Sequence, residues 1–380
     1  MKLLFFTGSR SEWGYIRPLL HLCKKKKIQY KICCTNMHLL KRFGSSIDEI
    51  KKDGFQVEDE IYMSLDGYNS YTMAKSLGIL MSSFTDVIHR VKPDWLILAG
   101  DRGETLAASI VGAYTNTPIA HIQAGEVSGN IDGMARHAIG KFVNLHLASN
   151  DDACKRLIKL GEEKFRVKNV GAPQLDEFSD KNLNKIDTNF LKNKYSLNDF
   201  KNYILVVFHP VTEDLKNLRN QITTTIRYLK KSNYKKVIIL PNNDAGSDIV
   251  KDVIYNYRDS NDIIFDNLPR FEYLAFLKNC KFLVGNSSSG IIEAASFKKP
   301  VINIGRRQNK RLKTFNVLSI NKVTDKKLDE QIKKITSKKF QVKLNKVKNP
   351  YGDGKSAKRI IDLLQKTKIN EKLLQKNITY

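Results

Sequence analysis

Paired cysteines and long apolar runs are both missing from this chain of 380 residues. The five cysteines are Cys23, Cys33, Cys34, Cys154 and Cys280. None forms a C-x-x-C pair and their number is odd, so we expect reduced, buried thiols rather than a disulfide framework or a zinc site. No apolar run approaches the ~20 residues of a membrane helix, and the short run at the start leaves no room for a signal peptide before Gly8. We therefore expect a cytoplasmic protein without a membrane partner.

Several nucleotide and metal motifs are also missing. The chain contains no G-x-x-x-x-G-K-[ST] and no G-x-G-x-x-G after its first apolar run, so use of ATP or NAD is unsupported. No D-x-D pair follows a predicted strand, and the seven histidines show no H-E-x-x-H spacing. We therefore expect neither a metal nor a cofactor.

Positive charge is abundant: 65 Lys and Arg stand against 39 Asp and Glu, a net charge of +26. Such a balance favours anionic partners, including nucleic acid, anionic membranes and phosphorylated small molecules. The lysines are scattered, however, and no nucleic-acid module or aromatic interleaving accompanies them. We interpret most of them as a solvated surface and expect no nucleic-acid partner. A basic RNA-binding protein remains a rival that rests on charge alone.

Short apolar runs alternate with amphipathic stretches along the chain, which predicts buried parallel strands separated by helices. The predicted strands cover residues 2–8, 30–36, 94–101, 118–126, 203–210, 236–243, 262–266, 280–290 and 300–305. The polar segment 176–200 is typical of a linker. The fold class is therefore α/β, with two doubly wound Rossmann-like domains and an interdomain cleft. We place the domains at 1–175 and 176–365, followed by a C-terminal tail at 366–380.

Polar side chains follow many of these strands, at the edge where open parallel sheets bind ligands. Arg10, Asp101, Arg102, Glu126 and His209 each come at or just after a strand end. The run Asn286 to Gly290 contains three serines and resembles a phosphate cradle at a helix N-terminus. We therefore expect an anionic ligand with carboxylates close by.

Each of these residues also has a structural explanation. Ser287 and Ser288 could simply cap a helix, and Glu293, which suits a ribose diol, could belong to a capping box. Asp101 could be the N-cap of the helix predicted at 102–116. Asp132 could form an ordinary i,i+4 ion pair with Arg136. His137 and His146 could be polar core residues, whereas Arg307 could close on a pyrophosphate.

Seven motifs in register resemble the hydrolysing UDP-N-acetylglucosamine 2-epimerases. They are "GSRSEWG", "GDRGETLAA", "AHIQAGEVSGNIDGMARHAIGK", "FHPVTED", "LPNNDAGS", "GNSSSGIIEA" and "GRRQNKR", which run from residue 8 to about 316. The resemblance implies a glycosyltransferase-B-like fold and a homodimer. It also implies removal of the C2 proton, anti elimination of UDP and hydration of a 2-acetamidoglucal to free N-acetylmannosamine, for sialic-type acid biosynthesis.

The resemblance also implies roles for individual residues. Proton transfers would fall to Asp101, Glu126 and Asp132, without deciding which is the C2 base, and His137 and Arg136 of the same motif would orient them. The UDP-binding residues would be Arg10, Arg102, His209, Asn242, Ser287, Ser288, Glu293 and Arg307. The segment from Ser11 to Tyr15 departs from the family pattern, because a lysine that relatives carry is missing. Arg17 is a possible substitute for it.

Several alternatives stay open. The substrate is either UDP-N-acetylglucosamine or, for legionaminic acid, UDP-N,N′-diacetylbacillosamine, with no motif for C4 and C6 contacts to separate them. A non-hydrolysing epimerase would return UDP to the intermediate, although the segment "GNIDGMARHAIGK" favours the hydrolysing branch. A glycosyltransferase of the same fold would need an acceptor.

Overall fold

The computed structural model describes residues 1–40, 46–66, 70–127, 131–179, 188–195, 202–211, 214–241 and 246–379, and the descriptions below concern these residues. The chain forms two compact units. Unit 1 comprises Met1–Val127, Ile131–Glu177 and Tyr351–Tyr380, and unit 2 covers Phe178–Pro350.

Unit 1 is built on a seven-stranded parallel sheet with the order β3-β2-β1-β4-β5-β6-β7. Its strands are β1 (Lys2–Thr7), β2 (Gln29–Thr35), β3 (Asp59–Ile61), β4 (Trp95–Ala99), β5 (Ile119–Ala124), β6 (Leu145–Ala148) and β7 (Val167–Asn169). Its helices are α1 (Arg10–Lys26), α2 (Ile47–Lys52), α3 (Ser70–Val91), α4 (Gly103–Tyr114), α5 (Ile131–Phe142) and α6 (Asp151–Lys159), with 3-10 turns at Asn36–His38, Lys164–Arg166 and Pro173–Ser179.

The first strand shows why both faces of this sheet are covered. Leu3 and Phe5 point to one face and belong to the apolar core that includes α1, while Leu4 and Phe6 point to the other and pack in the core of α3 and α4. Successive side chains of a strand alternate between faces, so a run that is apolar at every position needs helices on both sides. The sequence prediction of doubly wound parallel sheets is confirmed.

Unit 2 repeats this plan with a six-stranded parallel sheet of order β10-β9-β8-β11-β12-β13. The strands are β8 (Tyr203–Val207), β9 (Lys235–Ile239), β10 (Ile263–Phe265), β11 (Leu283–Gly285), β12 (Val301–Ile304) and β13 (Val317–Ile320). The helices are α7 (Thr188–Tyr195), α8 (Leu215–Lys230), α9 (Ser247–Tyr257), α10 (Arg270–Asn279), α11 (Ser288–Ile292), α12 (Asp325–Thr336) and α13 (Lys338–Leu344).

The end of the chain corrects the predicted domain boundaries. Helices α14 (Ser356–Lys366) and α15 (Glu371–Leu374) belong to unit 1, not to the second domain and a free tail. Ile360 and Leu364 of α14 lie in the core beside α1, and the fully buried Arg166 donates to the backbone carbonyls of Leu373 at 2.5 Å and Gln375 at 2.6 Å. The expected boundary at 365 is wrong because the last thirty residues return to the first sheet.

The strand orders locate the ligand-binding edge of each unit. In each sheet the chain first adds strands on one side of the unit's first strand and then crosses to add strands on its other side. This change of direction lies between β1 and β4 in unit 1 and between β8 and β11 in unit 2. Ligands of open parallel sheets bind outside the carboxyl ends of the strands at such a point. None of the helices in the described part of the chain is both long and apolar enough to cross a membrane.

Candidate active site

The carboxyl end of β1 leads directly into α1 through a complete capping box. The side chain of Ser9 accepts from the backbone N–H of Glu12, and the carboxylate of Glu12 accepts from the N–H groups of Gly8 at 2.5 Å and Ser9 at 3.1 Å. This arrangement fixes the direction of the turn and places Arg10 on the first turn of the helix. Burial lowers the pKa of Arg10, although the carboxylate of Glu49, 3.9 Å from its Nε, opposes the shift.

Asp101 follows β4 at the neighbouring strand end, and the structure rules out the helix-cap explanation for it. The N-cap of α4 is Arg102, with no side-chain hydrogen bond at the cap. Asp101 instead forms an ion pair with Nη2 of Arg136 from α5. Nη1 of the same guanidinium donates to the carbonyl of Gln123 at 2.6 Å. Asp101 is therefore fixed by α5.

A backbone irregularity at the end of β5 directs Glu126. The register with β6 shifts between Ile122 and Ala124, and Gln123 has a φ of 65°. Gly125 follows with a φ of 72°, where a Cβ would lie 2.6 Å from the carbonyl oxygen of Ala153. Such bulges change the direction of the side chains that follow. The glycine is required here because α6 packs directly against the backbone.

Glu126 lies at the N-terminal end of α6 and is almost fully buried. Its Oε1 accepts from the hydroxyl of Ser149 at 2.8 Å and from the side-chain amide of Asn150. Asn150 is also the N-cap of α6, since its Oδ1 accepts from the N–H of Ala153 at 2.9 Å. Two neutral donors therefore hold this carboxylate in place.

Arg136 connects the two carboxylates electrostatically. Burial alone lowers its pKa, but the charges of Asp101 and Glu126 outweigh burial and raise it. Its side chain is only 3 % exposed. The guanidinium is therefore a buried cation that offsets the negative charge of the two carboxylates. His137, the next residue of α5, is half-buried, and burial together with Arg136 lowers its pKa. The side chain of Asp132 lies outside the described residues, so its predicted role stays a prediction.

His121 lies inside the sheet beneath Asp101, and the sequence motifs did not single it out. Its Nε2 lies 2.6 Å from the carbonyl oxygen of Gly100. Burial lowers the pKa of His121 to about 3, so the ring is neutral and Nε2 carries the proton that it donates. The bond fixes the turn at Gly100, where φ is 84°, directly before Asp101.

Arg102 and Arg17 have different surroundings. Arg102 lies 3.5 Å from a carboxylate oxygen of the buried Glu104, on the same sheet edge as Arg10. Arg17 contacts Asp53 at 2.6 Å and Glu177 at 2.8 Å and is only 7 % exposed. Arg17 therefore forms ion pairs with two carboxylates inside unit 1, and the suggestion that it replaces the missing family lysine is not supported.

In unit 2, Asn286 joins the ends of β8 and β11. Its side-chain oxygen accepts from the backbone N–H of His209, and its side-chain amide donates to the carbonyl of His209, both at 2.7 Å. The carbonyl of Asn286 in turn accepts from Arg307 at 3.3 Å and Gln308 at 2.9 Å. Asn286 thus brings His209 and Arg307 to one edge, as the strand ends had predicted.

The serine run, Ser287 to Ser289, forms the start of the five-residue helix α11. Ser287 is the N-cap of α11, and its hydroxyl accepts from the N–H of Ser289 at 3.3 Å. Ser288 is the first residue of α11, and Glu293 occupies its C-cap position. The capping-box explanation of Glu293 is therefore wrong, because such a glutamate lies at the third helical position. Asn242 lies outside the described residues.

Several residues that organise these edges were missed by sequence reasoning. They are His121, Ser149, Asn150 and Arg270, the last of which forms an ion pair with Glu293. Asn150 carried a usable signal, since it precedes the acidic start of "DDACKRLIK" as an N-cap should. Among the described residues, no group of three or more His, Cys, Asp or Glu side chains is arranged to hold a metal ion.

Comparison with known proteins agrees with this arrangement. The family model described as UDP-N-acetylglucosamine 2-epimerase matches residues 21–365. A UDP-N,N′-diacetylbacillosamine 2-epimerase (hydrolyzing) from Legionella pneumophila is 35% identical over 100% of this chain and 99% of its own length. A UDP-N-acetylglucosamine 2-epimerase from Neisseria meningitidis is 32% identical over 82% of this chain and 81% of its own length.

A solved structure shows the same fold. The crystal structure of UDP-GlcNAc 2-epimerase from Neisseria meningitidis bound to UDP-GlcNAc superposes with a TM-score of 0.82 at 19% identity, covering 97% of this chain and 100% of that one. Fold and relatives together define an enzyme of the hydrolysing UDP-sugar 2-epimerase class. The chain belongs to the UDP-N-acetylglucosamine 2-epimerase family.

Proposed function

We propose that this enzyme hydrolyses and epimerises UDP-N,N′-diacetylbacillosamine. The observation that carries this choice is the similarity to the Legionella pneumophila enzyme. It is 35% identical over 100% of this chain, compared with 32% over 82% for the Neisseria meningitidis enzyme. The second candidate substrate is UDP-N-acetylglucosamine, which the shorter match to the Neisseria meningitidis enzyme favours. The free product would be a precursor for legionaminic acid in the first case and for sialic acid in the second.

The proposed reaction breaks and forms bonds at two neighbouring carbons. A base removes the C2 proton while the C1–O bond to UDP breaks, which leaves a 2-acetamidoglucal and UDP. Water then adds its oxygen to C1, and C2 receives a proton on the opposite face. The products are UDP and the free 2-epimer, so the sum consumes one water. A proton must be both accepted and donated, which requires more than one acid–base group.

The unit 1 edge contains suitable groups. We propose that Asp101, Glu126 and Asp132 carry the proton transfers and that His137 and Arg136 orient them. The position of Arg136 supports the first two, since this one cation lies within electrostatic reach of both carboxylates.

The UDP leaving group requires positive charge and hydrogen-bond donors where its oxygen becomes an anion. We propose that Arg10 and Arg102 supply charge from unit 1. From unit 2 the proposed UDP-binding residues are His209, Asn242, Ser287, Ser288, Glu293 and Arg307. The position of His209 and Arg307 around Asn286 supports this assignment.

We also propose that the enzyme acts in the cytoplasm as a homodimer. The first turn of α3 supports an interface, because Tyr71 and Met73 are 80 % and 68 % exposed there. Residues 70–85 contain one charged side chain, Lys75, in a chain that is 27% charged. Sedimentation equilibrium tests this, and a monomer at micromolar concentration would contradict it.

The substrate is tested by NMR of the products formed from each UDP-sugar in deuterated water. We expect free 2-epimer with deuterium at C2, together with UDP, and faster turnover of UDP-N,N′-diacetylbacillosamine. Faster turnover of UDP-N-acetylglucosamine would reverse the substrate choice. A UDP-linked epimer with no free sugar would indicate the non-hydrolysing reaction, and the absence of turnover without an acceptor would favour a glycosyltransferase.

The catalytic assignment is tested with Asp101→Asn and Glu126→Gln. We expect each to lower kcat by about 10²- to 10⁴-fold, the usual range for a group that transfers a proton. UDP affinity should change little, because the nucleotide contacts remain. Asp86→Asn, an exposed position on α3, is the matched control. Near wild-type kcat in both site variants would refute the assignment.

A further inference from the structure

Two side chains of α10 organise the serine run of unit 2. Arg270 and Tyr273 are three residues apart and therefore lie on the same face of the helix. Arg270 contacts Glu293, and Tyr273 contacts Ser289. One helix face thus fixes both the acidic residue and a hydroxyl group of the proposed nucleotide site.

Arg270 and Glu293 form a largely buried ion pair. Nη2 of Arg270 lies 2.7 Å from Oε1 of Glu293, whose side chain is only 6 % exposed. The other carboxylate oxygen, Oε2, is buried and has no hydrogen-bond partner among the described residues. A carboxylate can accept about four hydrogen bonds, so this oxygen is an acceptor without a donor. Buried polar atoms of this kind call for an explanation, and a bound ligand provides one.

Tyr273 completes the arrangement. Burial and the charge of Glu293 raise the pKa of Tyr273, so its hydroxyl keeps the proton. This hydroxyl contacts Oγ of Ser289, which lies 3.1 Å from Oγ of the N-cap Ser287. The acidic group and the hydroxyl chain are therefore held by the same helix.

We propose that Arg270 is a positioning residue that holds Glu293 for the ribose hydroxyls of the nucleotide and thereby sets the preference for ribose over deoxyribose. This inference rests on the proposed function, which places Glu293 at the nucleotide. Arg270 occupies Oε1 and leaves Oε2 to accept from a hydroxyl donor. A nucleotide without ribose hydroxyls cannot supply that donor and leaves Oε2 unpaired.

The expected magnitude follows from the chemistry of the contact. Hydrogen bonds to charged groups are stronger than neutral ones and correspond to about a tenfold or larger change in affinity. Without Arg270, Glu293 loses its ion-pair partner in a buried position and with it the contact that orients Oε2. The oriented acceptor is then lost, while the proposed contacts to the phosphates remain.

The test measures the affinity of the full-length protein for UDP and for 2′,3′-dideoxy-UDP by calorimetry. We expect wild type to bind UDP at least about tenfold more tightly than the dideoxy analogue. Arg270→Met should weaken UDP binding by about the same factor and change binding of the analogue less than about twofold, so the preference disappears. Arg270→Lys, which keeps the charge, should retain part of it. Arg219→Met, an exposed arginine of the same unit, is the control.

Each outcome bears on a separate claim. If wild type does not bind UDP, the proposed function fails. If wild type binds UDP but binds the analogue equally well, the inference fails while the proposed function stands. The inference also fails if Arg270→Met and Glu293→Gln keep the preference. Should Arg270→Met not fold, Arg270→Lys and Glu293→Gln decide, since retention of the full preference in both overturns the proposal.

Discussion

Gly285 occupies the point where β8 and β11 meet beneath the proposed nucleotide site, and Gly285→Ala should be one of the most damaging small substitutions in the chain. Its φ is 140°, a conformation that residues with a side chain rarely adopt. A Cβ there would lie 1.9 Å from the carbonyl oxygen of Val207 on the neighbouring strand. Real Cβ contacts do not fall below 3.0 Å, so the two strands have to part by about 1.1 Å.

The size of the effect follows from three terms. The strained backbone costs about 1–3 kcal/mol. The hydrogen bond from Asn286 N–H to the Val207 carbonyl, now 3.0 Å, contributes about 1 kcal/mol and would be lost or weakened. Separation of two fully buried strands adds packing losses, which brings the expected decrease in the free energy of unfolding to about 3–5 kcal/mol. Because Asn286 also holds His209, UDP affinity should fall at the same time.

Urea unfolding and UDP calorimetry test this reasoning. Gly14→Ala is the control, because Gly14 lies inside α1 and a Cβ there meets no atom within 4 Å. That substitution should leave stability unchanged or raise it by about 0.4–1 kcal/mol through the unfolded state. A Gly285→Ala protein that lost less than about 1 kcal/mol and bound UDP like wild type would refute the argument.

Three further predictions concern charged residues. Burial and the nearby Glu104 raise the pKa of Glu12 to about 8, so between pH 4.5 and 8 the folded state keeps a proton that the unfolded state releases. Its contribution to stability therefore falls as pH rises through that window. Relative to wild type, the free energy of unfolding of Glu12→Gln should increase by up to about 1.4 kcal/mol per pH unit between pH 5 and pH 8, measured by urea unfolding. A stability difference between the two proteins that is the same at both pH values would contradict this. Arg17→Met should lower the free energy of unfolding by about 3–5 kcal/mol, because two carboxylates lose their partner, while KM stays within about twofold; a large rise in KM with normal stability would restore Arg17 to the substrate site. Arg136→Met should lower kcat at least about 10²-fold with UDP affinity retained, and unchanged steady-state kinetics would show that Asp101 needs no fixed cation.

Local sequence patterns predicted the fold class and nine of the thirteen strands in the described residues, but β3, β6, β7 and β13 were missed. The helix predicted at 102–116 is observed at Gly103–Tyr114, and the strand before it ends at Ala99, two residues from Asp101. Apolar runs and turn residues are properties of neighbouring positions, so they are visible in a single sequence. The same holds for the side chains that follow each strand.

Contacts between distant positions could not be predicted in this way. Arg136 reaches Asp101 across 35 residues, and Arg166 holds the backbone near Leu373 across 207. The hydrophobic periodicity around one residue of such a pair gives no information about the identity of its distant partner. The domain boundary was therefore misplaced at the C-terminus, and the ion-pair partner considered for Arg136 was its neighbour Asp132 rather than Asp101.

The environments of Asp101 and Glu126 differ in a way that bears on their roles in the proposed reaction. Asp101 forms an ion pair with the guanidinium of Arg136, which has donors but no acceptor and fixes the orientation of the carboxylate. Glu126 contacts Ser149, whose hydroxyl can turn and accept as well as donate. Asn150 holds the other bond and is itself fixed by its cap on α6. We therefore expect the Ser149 hydroxyl to pair with Glu126 both before and after a proton transfer, while Arg136 holds Asp101 in the orientation that its own proton transfer requires.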